Sequence, residues 1–318
     1  MKTWLSWALR LTVIGACAAY ALSEVDLDQL GETLARYDES KLWLLLALSF
    51  VPYVAMAGRL VVLLRGVRGK PTLWTTFIAS LFALGMNNLL PARLGEIAKI
   101  VYLRQRSGVS SGWLMGAVFW ERFADIHALL FLSALALAGL GHTHAFAPIA
   151  VGVALGWIGL IWMRHRPRPF EWLVERLPTE GLARFGRDIM QSLSRDLGLK
   201  TSVELVIWTA VTWTFYALHV YLVVVWVAGI DLGVLEVLTV FIGISLGMVV
   251  PLSPGALGIY EAIFVLVLGW YGVPPEQALA AGLTAHMLQY IPTTAAAAVV
   301  LARTKLSFRS FTTHPQNT

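Results

Sequence analysis

The sequence predicts an all-α integral membrane protein, with six transmembrane helices plus two opposed re-entrant helical hairpins forming an inverted repeat. Three observations lead to this fold class: the composition, the length of the apolar runs, and the placement of Lys and Arg between those runs. Hydrophobic residues make up 58% of the 318 residues and charged residues 14%, against roughly 45–50% and 25% in soluble domains. The composition excludes a soluble globular protein, and we treat residues 1–318 as a single polytopic membrane domain.

Six apolar runs approach or reach the roughly 20 residues that a helix needs to cross a bilayer. They are Trp4–Leu22, Leu42–Leu64, Trp113–Leu140, Pro148–Met163, Val203–Ala228 and Ala278–Ala302. The first run follows two basic residues and is also compatible with a signal peptide, but it is long enough to remain as an anchor. We therefore expect an uncleaved first helix.

Two further apolar stretches, Leu73–Leu90 and Val237–Tyr271, are interrupted by Pro and Gly. Lys and Arg stay on the cytoplasmic side of a membrane, and they occur at both ends of the segment 71–112. That segment is therefore expected to enter from the cytoplasm and return. By the same argument the segment 229–277 enters and returns from the opposite side, and six full crossings leave both termini in the cytoplasm.

The two predicted hairpins have similar turning points, 163 residues apart. Pro91–Glu96 and Pro254–Glu261 share the pattern Pro-x-x-Leu-Gly with a Glu shortly after it. Each turning point lies between two spans, which gives repeat halves of about 42–140 and 203–302 with opposite directions through the membrane. Broken segments in matching halves of a transporter indicate a binding site near the midplane. The alternative is a duplication whose role is only structural.

The longest segment between spans, residues 164–200, carries apolar residues at helical spacing and many charges. It predicts a cytoplasmic amphipathic helix or helix pair. This segment either lies on the lipid head groups or packs against the helix bundle.

Charged side chains at bilayer depth cost roughly 2.5–3.5 kcal/mol each, so their presence indicates a function. On a helix that begins near Pro91, Arg93, Glu96 and Lys99 are near neighbours. Arg122 and Asp125 are likewise spaced to pair within one helix. Four of the charged side chains are positive and four are negative, and we interpret them as substrate-binding residues. They are Arg59, Arg93, Glu96, Lys99, Glu121, Arg122, Asp125 and Glu261.

The hairpin turns supply the rest of the predicted site. Ser253 is expected to cap a half-helix that has Pro254 at its first position, and the free N–H groups of such a helix end attract anions. The hypothesis is a polar midplane cavity that accepts an anionic head group; the alternative is a closed salt-bridge network that only joins the hairpins. The turn residues are Asn88, Pro91, Gly95, Ser253, Pro254, Gly255 and Gly258.

Other residue types give weaker signals. His127, His219 and His286 lie in predicted spans, where a lone histidine is more often a hydrogen-bonded packing residue than a relay. The single Cys17 and the short His142-x-His144 pattern have too few partners for a metal site. We expect no metal, no cofactor and no nucleic-acid partner.

Three blocks of this sequence resemble the signature blocks of the lysylphosphatidylglycerol synthase transmembrane-region family, which is also called flippase-like. The resemblance covers about residues 40–305. In the family, the second turn more often reads Pro-Gly-Gly-Leu-Gly, whereas this chain has Ala256 in place of the second of these glycines. The blocks are Asn88–Glu96, Glu121–Asp125 and Pro251–Glu261.

The resemblance implies a multi-pass protein of the bacterial cytoplasmic (inner) membrane that moves lipid between leaflets. Its substrate would be an anionic or aminoacylated phospholipid or a polyprenyl-phosphate carrier. Full synthases of the family also carry a cytosolic aminoacyl-transferase domain, which this chain lacks, so we do not expect an enzyme. The alternatives are an intramembrane lipid-modifying enzyme that uses Glu96 or Glu121 as acid or base, and a non-catalytic partner of such an enzyme.

Overall fold

The computed structural model describes residues 12, 15–17, 19–23, 25–90, 93–141, 144, 146–166, 168–249 and 253–304. Within these ranges the chain is helical and contains no β-strand. Most of the predicted first span, the turn residue Pro91 and the residue His142 lie outside the described residues.

The helices are named here in chain order over the described residues. The first seven are α1 Leu27–Ala35, α2 Glu39–Leu48, α3 Phe50–Leu63, α4 Leu73–Leu89, α5 Gly95–Ser107, α6 Ser111–Gly139 and α7 Phe146–His165. The others are α8 Arg168–Glu175, α9 Glu180–Ser194, α10 Gly198–Tyr221, α11 Val234–Gly247, α12 Ile259–Gly269 and α13 Pro275–Arg303. A π-helical segment, Leu222–Val227, continues α10.

Among the described residues, five helical stretches are long and apolar enough to cross a membrane, and each matches a predicted span with ends shifted by a few residues. Of the two interrupted apolar stretches, Val237–Tyr271 forms two shorter helices, α11 and α12, whereas Leu73–Leu90 forms one helix, α4, which continues through Gly85 without a break. The five are Glu39–Leu63, Ser111–Gly139, Phe146–Met163, Gly198–Val227 and Pro275–Arg303.

The chain divides into two compact units. The first unit comprises Met1–Pro52, Leu84–Gly95 and Trp213–Ala298, and the second comprises Tyr53–Ala83, Glu96–Thr212 and Val299–Thr318. The first unit contains an apolar core cluster of Ala21, Leu30, Ala262, Leu279 and Ala280.

In the second unit, α4 and α5 fold back on each other. The ring centroids of Phe82 and Tyr102 lie 5.9 Å apart, so the chain reverses direction about midway between them. Helix α9 packs along α6: a Cβ on Gly116 would clash with the side chain of Ser192, and the Trp120 indole N–H donates to the Ser192 carbonyl at 3.4 Å. This part of the amphipathic segment therefore packs against a span.

In the first unit, α11 and α12 form a second reversal. The hydroxyl groups of Thr239 and Tyr271 form a hydrogen bond of 2.8 Å. Gly243 and Gly247 leave room for the side chain of Ile263. These contacts are symmetric about Gly255, which lies in the short 3₁₀ turn Pro254–Ala256 between the two helices. Small residues on α11 allow this close approach, as they do in other membrane helix pairs.

The two turns share a backbone conformation that the sequence pattern alone did not predict. Arg93 has φ 56° and Ala256 has φ 59°, and they are the two non-glycine residues of the described chain with positive φ. They occupy the same position in the two Pro-x-x-Leu-Gly motifs. The left-handed conformation at Ala256 also explains why a glycine is favourable there.

One expectation about these turns is wrong, and a second holds in part. Helix α5 begins at Gly95 and not near Pro91, because Arg93 is left-handed and cannot continue a right-handed helix. Ser253 occupies the N-cap position of the 3₁₀ turn and Pro254 its first position, as predicted, but the Ser253 side chain makes no capping hydrogen bond. The longer helix, α12, begins at Ile259, where Glu261 accepts a hydrogen bond from the Gly258 N–H at 2.8 Å.

The turns of the two hairpins are in contact within the first unit. A Cβ on Gly255 would overlap the Tyr290 ring and lie 3.1 Å from the Asn88 Cα, and Gly255 itself has φ +59°. A glycine is therefore required at this position both for its backbone conformation and for the space that it leaves.

We predict that Gly255→Ala destabilises the protein more than Gly272→Ala does. Both residues have positive φ, which costs an alanine about 1–2 kcal/mol, but Gly272 has no other atom within 4 Å of the added Cβ. The difference in unfolding free energy between the two variants, measured in detergent, isolates the contact with Asn88 and Tyr290. Equal losses would contradict the described meeting of the turns.

Candidate functional site

Six of the eight predicted charged residues form one connected group in the second unit, which we call the ion cluster. They come from three helices: α3 supplies one, α5 supplies two and α6 supplies three. The cluster contains three cations and three carboxylates, so its formal charges sum to zero. Its members are Arg59, Glu96, Lys99, Glu121, Arg122 and Asp125.

The core of the ion cluster is shielded from its surroundings. The side chains of Arg59 and Lys99 are 1% exposed, and that of Glu121 is 2% exposed. Glu121 lies between the two cations, with its carboxylate 2.9 Å from the Lys99 Nζ and 3.6 Å from the Arg59 Nε. Arg59 also donates to the Asp125 carboxylate at 2.6 Å. Each buried charge therefore has an opposite charge beside it, as a low-dielectric interior requires.

The rim of the ion cluster is more open. Arg122 donates to the carboxylates of Glu96 and, at 3.1 Å, Asp125. The Arg122 side chain is 41% exposed, whereas those of Glu96 and Asp125 are 19% and 15% exposed. Arg122 is therefore the most exposed cation of the ion cluster.

Local spacing explains part of the ion cluster. Glu96 and Lys99 are three residues apart on α5 and lie 2.9 Å from each other, and Arg122 and Asp125 have the same spacing on α6. Both contacts agree with the predicted pairing of oppositely charged residues three positions apart on one helix. The position of Arg59 depends on tertiary packing, because it reaches α6 from a helix 62 residues earlier.

The other two predicted residues, Arg93 and Glu261, lie in the first unit. The Arg93 guanidinium donates to the Met248 carbonyl. Glu261 pairs with His286, with 2.6 Å between the carboxylate Oε1 and the imidazole Nδ1. Arg93 precedes α5, so it does not share a helix face with Glu96 as the sequence suggested.

Helix α13 binds the turn residues of both hairpins. The Asn88 amide donates to the Tyr290 carbonyl at 3.3 Å and to the Thr293 and Thr294 hydroxyls at 3.0 and 2.9 Å. The Gly255 carbonyl lies 2.9 Å from the Nε2 of His286. Of the other predicted turn residues, Gly95 donates its N–H to the Asn87 side chain at 2.8 Å.

Sequence reasoning interpreted His286 as a hydrogen-bonded packing residue and did not predict its pairing with Glu261. The available signal is the internal repeat: α6 and α13 both contain 29 residues, and Arg122 and His286 are each the twelfth. Each of these residues pairs with a Glu in the first turn of the helix that follows a hairpin turn, Glu96 or Glu261. Arg122 and His286 therefore occupy the same position in two helices of equal length, and each contacts a Glu side chain.

No group of three or more His, Cys, Asp or Glu side chains among the described residues is placed to hold a metal ion. The arrangement consists of paired charges, together with helix starts whose N–H groups are bound by the Asn87 and Glu261 side chains.

Comparison with protein families supports the sequence resemblance. The family model described as Lysylphosphatidylglycerol synthase TM region matches residues 7–297. None of the curated proteins matches the sequence.

We predict that Lys99→Met lowers the unfolding free energy by about 3–5 kcal/mol, because it leaves a buried carboxylate without its nearest cation. Arg122→Met removes the same charge from the half-exposed rim and should cost about 1 kcal/mol or less. Denaturant titration in mixed micelles measures both losses. A larger loss for Arg122→Met would contradict the division into core and rim.

Proposed function

The chain belongs to the lysylphosphatidylglycerol synthase TM region family, and from that premise we propose that it is a membrane lipid transporter of the flippase or scramblase type. Its substrate class is an anionic or aminoacylated phospholipid or a lipid-phosphate carrier. The proposal places the protein in the bacterial cytoplasmic membrane with both termini in the cytoplasm.

One observation carries this proposal: a neutral ion cluster beside a predicted span exposes a single guanidinium, Arg122. Guanidinium groups bind phosphate through two parallel hydrogen bonds. When Arg122 turns to a phosphate, Glu96 keeps Lys99 and Asp125 keeps Arg59 as partners. A phosphate head group can therefore bind without leaving a carboxylate unpaired, and Glu96 and Asp125 hold Arg122 again after release.

The proposed topology has six spans and two re-entrant hairpins that form an inverted repeat. It is supported by five apolar helices of spanning length, by two chain reversals, and by the matching left-handed residues Arg93 and Ala256. Irregular backbone at membrane depth is tolerated only where protein or a wet cavity surrounds it. In this arrangement the polar site is exposed alternately to the two leaflets, and the lipid head group crosses the membrane through it.

The alternative of an intramembrane enzyme is less well supported. Glu121 is 2% exposed and is held between Arg59 and Lys99, so it has no path to a substrate proton. Glu96 is paired with Lys99 and Arg122. Mass spectrometry of lipids before and after incubation distinguishes the two functions, because a transporter returns its substrate chemically unchanged.

The topology can be tested with single cysteines in a Cys17→Ser background. We predict that Lys70→Cys and Arg106→Cys, at the two ends of the first hairpin, react with a membrane-impermeant maleimide only from the cytoplasmic side. Asp231→Cys and Gln277→Cys, at the ends of the second hairpin, should react only from the other side. Labelling of the two members of either pair from opposite sides would mean that the hairpin crosses the membrane.

We predict that Arg122→Gln abolishes lipid movement while the protein remains folded, because Gln keeps hydrogen-bonding capacity but cannot neutralise a phosphate. The measurement is the transbilayer movement of fluorescent phosphatidylglycerol in liposomes that contain the purified protein. Arg187→Gln is the matched control, since Arg187 is similarly exposed and is paired with Glu180 at 2.6 Å. Wild-type rates equal to those of protein-free liposomes across a panel of anionic lipids would overturn the proposal.

A further inference from the structure

Histidine side chains in the predicted spans differ in how many hydrogen-bond acceptors they face. His127 has its Nδ1 2.7 Å from the Phe123 carbonyl, and His219 has its Nε2 3.1 Å from the Ala285 carbonyl. The second ring nitrogen of each is buried and has no partner among the described residues. A neutral imidazole, which has one N–H, can make the single hydrogen bond that each of these two histidines forms.

His286 is different because both of its ring nitrogens face acceptors. Its Nε2 lies 2.9 Å from the Gly255 carbonyl, which only accepts hydrogen bonds, so Nε2 carries a hydrogen. Its Nδ1 lies 2.6 Å from the Glu261 Oε1. Contact at that distance requires a second proton between the two atoms, on the imidazole or on the carboxyl group.

The other oxygen of Glu261 is already occupied. Its Oε2 accepts from the Gly258 N–H at 2.8 Å, which fixes the carboxyl group at the start of α12. Both side chains of the pair are buried, with 7% of Glu261 and 8% of His286 exposed. The pair and its one shared proton therefore form a neutral, enclosed unit.

We propose that the Glu261–His286 pair is the proton-binding site of this protein and that proton binding there is coupled to lipid movement. The inference rests on the transport function proposed above and adds the coupling ion, H⁺, and its binding site. When the proton leaves, the Nδ1 lone pair faces a carboxylate, and the contact becomes repulsive. The ring then loses its position on the Gly255 carbonyl, so α13 no longer holds the second hairpin turn.

The surroundings of His286 favour a proton over other ligands. Tyr260 stacks on the ring with centroids 4.3 Å apart, and Tyr290 meets it edge-on at 5.5 Å. Among the described residues, the titratable groups in contact with the ring are Glu261 and Tyr260 of α12 and Tyr290 of α13. The two aromatic rings and the low exposure of both side chains leave the pair with little contact with its surroundings, which a proton needs less than a larger cation does.

In the internal repeat, the pair Glu261–His286 of the second half corresponds to the pair Glu96–Arg122 of the first half. The equivalent position of the first half is Arg122, whose charge is permanent, paired with Glu96. In the second half the cation exists only while a proton is bound, and histidine is the side chain suited to gain and lose it near neutral pH. The two hairpins therefore differ in one property: only the second has a conditional charge at its turn.

The test measures phosphatidylglycerol movement in liposomes containing the full chain, at about pH 5.5 and 7.5 and with a pH gradient between these values. We expect the wild-type rate to change with pH and with the direction of the gradient. His286→Arg carries a fixed cation, so its rate at one pH should equal its rate at the other. His219→Gln, a buried histidine with a single acceptor, is the matched control and should keep the wild-type response.

The outcomes separate the two proposals. The proton site is overturned if wild-type lipid movement does not change with pH, or if His286→Arg keeps the wild-type pH response. Neither result contradicts the proposal of lipid transport. No lipid movement under any condition overturns the transport function instead.

A second measurement does not depend on transport or on the folding of a variant. Nitrogen NMR of histidine-labelled wild-type protein in nanodiscs contains signals of seven histidines, among which His286 is identified by its contact with the Tyr260 ring. His286 should show both ring nitrogens protonated or sharing a proton, which is lost at high pH. A His286 signal with one N–H and one unprotonated nitrogen over the whole pH range would overturn the proposal directly.

Discussion

The pairing of buried charges is the constraint on which the second unit depends. Glu121 is almost fully enclosed, and it is stable there only because Arg59 and Lys99 reach it from two other helices. Those contacts fix α3, α5 and α6 relative to one another within the unit. Arg122 adds a further link between α6 and α5 through Glu96, and it is the most exposed charge of the ion cluster.

In the first unit the corresponding constraint is the satisfaction of backbone groups at the two turns. A chain that reverses inside an apolar environment exposes N–H and C=O groups that need partners. At one turn the Asn88 carbonyl accepts a hydrogen bond from the Tyr290 hydroxyl at 3.4 Å, and at the other the Gly255 carbonyl faces the Nε2 of His286. Both partners lie on α13, so one helix holds the two turning points of the chain.

Much of this arrangement is accessible from the sequence, because it depends on local spacing. The apolar runs predict the five helical stretches of spanning length. The intervals between Glu96 and Lys99 and between Arg122 and Asp125 predict two ion pairs. The exposure of Arg122 and the position of Arg59 depend on how helices pack, which spacing does not encode. The helix starts at the turns were misjudged, since a proline and a serine indicate a cap only if the next residues are right-handed.

The left-handed turn residues also have a chemical consequence. Arg93 and Ala256 differ in size and charge, yet the backbone has the same shape at both, so it is the shape that the duplicated motif preserves. A mirror-image amino acid adopts that geometry without steric cost. Semisynthesis that places D-alanine at position 256 would lock the turn into its present form while keeping the methyl group, which neither glycine nor any encoded residue can do.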